Sequence, residues 1–66
     1  MTWLDIDTAP FDRDLELAVI NFDGAHATAF PCRRIVGGGW MNTITKKIVE
    51  IHPTHWRLWE WLDQRD

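Results

Sequence analysis

The chain predicts a small, mainly β domain, and three observations carry that expectation. Read with period two, Leu15, Leu17 and Val19 fall on one face against Glu16, Ala18 and Ile20 on the other, and Trp40, Asn42 and Ile44 share a face in the later run. Turn-forming residues, Asp23-Gly24 and Gly37-Gly38-Gly39, separate these runs at short intervals. No strand is followed by the long helical pattern that a parallel crossover needs. The architecture expected is a four-stranded antiparallel meander or half-barrel with a Trp-rich C-terminal segment packed across it.

Taken in order, residues 1–14 read as an irregular lead-in. Trp3 and Ile6 are apolar anchors, while Asp5, Asp7 and Pro10 interrupt any long helix. Pro10 biases Ala9 to extended geometry. Residues 15–22 form the first strand, with Leu15, Leu17 and Val19 on one face. Asp23-Gly24 suits a tight turn that needs a positive φ. The return strand is expected over residues 25–33, with Ala25, Ala27 and Ala29 on one face under a covering tryptophan. Pro31 belongs at an edge or bend, because it cannot donate to a ladder. Residues 40–45 and 48–52 complete the meander, ended by Pro53. A short turn of helix is favoured after Trp56, capped by Thr54, with Leu58, Trp59 and Leu62 at helical spacing, over a competing extended crossing segment.

The 66 residues allow a single domain, residues 1–66. A chain of this size hides only about 60% of its extended surface on folding, so packing must be supplemented. One cysteine precludes an internal disulfide and fits a reducing compartment, the cytoplasm. The start, Met1-Thr2-Trp3-Leu4-Asp5, lacks the basic and apolar regions of a signal peptide. No run approaches the roughly 20 apolar residues that span a bilayer, so no membrane association is expected. Ten acidic against seven basic residues give a net charge of -3 and argue against nucleic-acid binding.

The start, Trp3-Leu4-Asp5-Ile6-Asp7-Thr8-Ala9-Pro10, resembles the W-x-x-I-x-T-A-P opening of a small domain family of unknown function common in bacteria and their phages. Pro53-Thr54-His55-Trp56 resembles that family's P-T-H-W signature. Leu15-Glu16-Leu17-Ala18-Val19 and Gly38-Gly39-Trp40 match its central strand and G-x-W. The chain departs from the family at Phe11-Asp12-Arg13, where Lys-Asp-Gly is usual. It departs again after Trp56, where the usual W-x-P-L-P-E-P is replaced by Arg57-Leu58-Trp59-Glu60-Trp61. The resemblance implies a fold and a phage-related setting, and no mechanism.

Candidate chemistry is sparse. Cys32, His52 and His55, with His26, are residue types that zinc accepts, yet Pro53 breaks the segment between two of them and structural sites use tighter pairs. Neither a metal nor a cofactor is expected. Cys32 with a histidine could form a nucleophilic dyad, but no surrounding signature supports one. Gly37-Gly38-Gly39 lacks the Lys-Ser/Thr of a phosphate loop. So short a chain also leaves little material for a pocket of a few hundred Å³ beside its core, and no enzyme is expected.

Five tryptophans remain. Each aromatic buries on the order of 150–250 Å², so Trp3, Trp40, Trp56 and Trp59 read first as core. An exposed Trp59 and Trp61 beside Arg57 would instead make a binding hot spot. The function expected is a non-catalytic, protein-binding accessory module of phage or prophage origin. Arg57, Trp59 and Trp61 would contact a protein partner or a second copy. The alternative is a small barrel stapled by metal or binding nucleic acid through Arg33, Arg34, Lys46 and Lys47; a Cys/His enzyme stands third.

Overall fold

The computed structural model describes residues 2–60. Those residues are mainly β and antiparallel, the class expected, but with seven short strands in place of four. The strands are β1 (Leu4–Asp5), β2 (Leu15–Asn21), β3 (Gly24–Ala27), β4 (Cys32–Arg34), β5 (Trp40–Asn42), β6 (Ile48–Val49) and β7 (His55–Leu58). Their order across the sheet is β1-β7-β2-β4-β5-β6, with β3 also paired to β2. A single 3-10 turn, Ile6–Thr8, follows β1.

β2 is the central strand because its alternation gives it a continuous apolar face. Leu15 and Leu17 are fully buried, and each contributes roughly 1.5–3 kcal/mol by leaving water. Along one edge β2 pairs with β7, Leu17 lying opposite Trp56. Along the other it pairs with β4 at Leu15 and with β3 from Ala18 onward. Asn21 lies opposite Gly24, which leaves Phe22-Asp23 as the two-residue turn, one position earlier than expected. Gly24 sits at φ 116, a region costly for any other residue. The Asp23 amide donates to Asn21 Oδ1 at 2.8 Å and secures the reversal.

The return strand expected over residues 25–33 is two strands. Pro31 carries no N–H, and the ladder breaks over residues 28–31. Thr28 bridges the gap: its amide donates to the Leu17 carbonyl at 2.8 Å, and its hydroxyl accepts from the Leu17 amide at 3.2 Å. Ala25, Ala27 and Ala29 are exposed, so no tryptophan covers them. The next strand ends at Asn42 and not at Thr45. Asn42 Oδ1 accepts from the amides of Ile44 and Thr45 and turns the chain there.

The short helix weighed for the tail does not form in the described residues, which are extended from His55 to Leu58. Thr54 does not cap a helix. Its amide donates to the Ala18 carbonyl at 2.8 Å, and its hydroxyl accepts from the Ile20 amide at 3.0 Å. The segment is thus drawn into the sheet as β7, held by β2 on one side and β1 on the other. Trp61 and Leu62 lie outside the described residues.

The core comprises Ala9, Leu15, Leu17, Cys32, Trp40 and Trp56, with Ile6, Phe30 and Ile51 packed against it. Of the tryptophans read as core, Trp40 and Trp56 are buried, whereas Trp3 and Trp59 are half-buried. The indole N–H of Trp56 is shared between the Asp5 carbonyl and the Thr8 hydroxyl, both at 3.0 Å. The Ile6 amide donates to the Thr54 carbonyl at 3.1 Å. Arg34 Nη1 donates to the Ala9 carbonyl at 2.6 Å. Together these bonds clasp residues 5–9 onto the sheet.

Candidate functional site

Successive strand residues point to opposite faces. Leu15 and Leu17 face the core, so Glu16 faces outward, and the strand register carries that assignment across the sheet. Arg57 lies opposite Glu16, Arg33 opposite Met41, and Met41 opposite Ile48. Extending the register by one residue places Trp3 opposite Arg57 and sets Asp14 between Arg33 and Trp59. Contacts agree with each extension. The Arg57 guanidinium stacks 4.1 Å from the centre of the Trp3 ring. Arg33 Nε donates to Asp14 Oδ1 at 2.8 Å, and the Trp59 amide donates to the Asp14 carbonyl at 3.0 Å.

Two rows therefore cross the outer face: Trp3–Arg57–Glu16, and Trp59–Asp14–Arg33–Met41–Ile48. Arg57 Nε also donates to Glu16 Oε1 at 2.7 Å, with both side chains half-buried. A stacked and charge-paired arginine has little rotamer freedom left, so holding it against a partner sacrifices little further entropy. Ile48, 65% exposed on the edge strand β6, extends the apolar part of this face. The structure thus brings Arg57 and Trp59 to one side of the sheet. Trp61, the third residue of that set, is outside the described residues. Trp3 and Glu16 were missed in the sequence because only the pairing of β1 and β2 with β7 sets them beside Arg57.

The suggested metal ligands are not brought together. Cys32 is buried in the core on β4, His52 is exposed between β6 and β7, and His55 lies on β7 with Nδ1 2.8 Å from the Thr54 hydroxyl. Among the described residues, no three His, Cys, Asp or Glu side chains converge as a metal site would require. Burial pushes the Cys32 thiol from its ordinary 9.0 up to about 11, with a Thr28 hydrogen bond acting the other way. A nucleophilic thiol needs the opposite shift.

The four cations proposed for nucleic acid are also dispersed. Arg33 and Arg34 point to opposite faces and are both engaged, while Lys46 and Lys47 are exposed in the β5–β6 turn. Among the described residues, no helix is long and apolar enough to cross a membrane.

Two open cavities exceed what so short a chain was expected to hold. One, about 320 Å³, is apolar and lies at the strand break between Val19, Phe30, Ile51 and Pro53. The other, about 400 Å³, lies between the 3-10 turn and the Gly38-Gly39 loop, with Arg34 and Trp40 in its wall.

The residues that carry the family resemblance serve the fold: Thr8 and Ala9 meet Trp56 and Arg34, and Thr54 completes the β2 ladder. No protein family model, characterised protein or solved structure matches this chain.

Proposed function

We propose that the protein is a non-catalytic, protein-binding module whose contact surface is the outer face around Arg57 and Trp59. The observation that carries this reading is the Trp3–Arg57–Glu16 stack, a preorganised arginine with an aromatic neighbour on the outer face of the sheet. Tryptophan and arginine are the residue types that dominate binding energy at interfaces. A phage or prophage setting accompanies the reading through the motif resemblance, and a single buried thiol suits a reducing compartment such as the cytoplasm.

The first partner to test is a second copy. Light scattering over a concentration series, with tryptophan emission recorded on the same samples, is expected to show mass rising toward a dimer as emission shifts blue. Trp59→Ala should abolish both changes while keeping a wild-type unfolding midpoint. A monomer at every concentration with emission already blue removes the support for this surface. Loss of folding in Trp59→Ala would make the residue structural and sink the proposal.

A further inference from the structure

We propose a second site, a carboxylate-binding cavity on the core side of the sheet, independent of the outer-face reading above. The wall of the cavity of about 400 Å³ is mixed: Arg34, Asp7 and His52 supply its polar side chains, and Ile6, Ile51, Pro53 and Trp40 its apolar part. Arg34 is half-buried and lies 5.0 Å from the Phe11 ring centre and 6.0 Å from that of Trp40. One of its N–H groups holds the Ala9 carbonyl at 2.6 Å. The ion pairs among the described residues are Arg33–Asp14 and Arg57–Glu16, so no described carboxylate neutralises Arg34. The two rings and the Ala9 carbonyl hold the guanidinium in place without neutralising it, so an entering anion gains a positioned cation whose charge is unpaired among the described residues. The fork of guanidinium donors matches a carboxylate.

The lining narrows the ligand further. Inorganic phosphate would make no use of Ile6, Ile51, Pro53 and Trp40, whereas an apolar body joined to the anion would cover them. Asp7 repels a second negative charge, which selects a monoanion over a dianion. The class is therefore a monocarboxylate with an apolar body, for which benzoate is the probe.

The test is a titration of the full chain with benzoate, followed by amide and indole resonances in two-dimensional NMR, with benzamide and inorganic phosphate as comparisons. Saturable shifts with benzoate are expected at Ile6, Gly39 and Trp40, with benzamide and phosphate binding at least about tenfold more weakly. Arg34→Gln should lower benzoate affinity by about tenfold or more. Asp7→Asn leaves the main-chain hydrogen bonds of the turn in place and should tighten benzoate by about two- to fivefold. Benzamide or phosphate shifts equal to those of benzoate would overturn the proposal. So would unchanged affinity in a folded Arg34→Gln. If Arg34→Gln fails to fold, Asp7→Asn decides: tighter binding supports the site, and unchanged or weaker binding refutes it.

Discussion

Cys32 makes stability depend on pH through its burial, which outweighs the opposing Thr28 hydrogen bond. In the unfolded chain the thiol loses its proton near its ordinary 9.0; in the fold it keeps that proton up to about 11. Between those values the folded state binds more protons, so stability falls as pH rises through the window. The loss is complete above the folded value and amounts to on the order of 2 kcal/mol. Below pH 9 the contribution is fully present. Denaturant midpoints measured from pH 8 to 11 should therefore decline more steeply for the wild type than for Cys32→Ala, which shares every other titrating group. Equal slopes would show that the buried thiol is not the cause. At this scale the sequence was partly legible. Arg57 and Trp59 could be chosen from residue type, because an arginine among indoles carries its own chemistry. Glu16 and Trp3 could not, since neither is near Arg57 along the chain and both reach it only through pairing.

At the level of elements, alternation identified β2 correctly because half-burial imposes period two on a central strand. It failed where side chains replace main-chain bonds. Residues 25–33 carry a strand-like pattern, yet Pro31 and Thr28 divide them, and Thr28 supplies the acceptor that the interrupted ladder would otherwise have given Leu17. Thr54 does the same for Ile20 on the opposite edge of β2, which is why the tail is a strand where a capped helix was weighed. Both hydroxyls look like loop chemistry when met in the sequence. Thr28→Val keeps the side-chain volume and removes the acceptor, leaving the amide of a fully buried leucine unpaired. The expected cost is about 1–3 kcal/mol, read as a fall in the denaturant midpoint, while Thr28→Ser should stay close to wild type. If valine and serine are equally tolerated, water reaches the Leu17 amide and the bridge is dispensable.

At the largest scale, the described fold closes by pairing β1 with β7. Leu4 pairs with Trp56, and the Trp56 indole holds both Asp5 and Thr8, so residues 4–8 are part of the cooperative structure and not an appendage. Local patterns could not announce this closure, because two-residue strands such as β1 have no periodicity to read. The long loop that the contact spans must be ordered before it gains anything, which makes the closure costly to nucleate and late to form. A double-mutant cycle tests whether the ends are coupled. Trp56→Phe retains most of the ring and removes the shared N–H; Thr8→Val removes one of its two acceptors. If the clasp acts as one unit, the two losses will be non-additive by about 0.5–1.5 kcal/mol. Each variant should still unfold in a single transition, followed equally by far-ultraviolet circular dichroism and tryptophan emission. Additive losses would mean that the indole bond is incidental to closure. A separate early transition seen only by emission would mean that the N-terminal segment detaches by itself, and that the cooperative unit begins at β2.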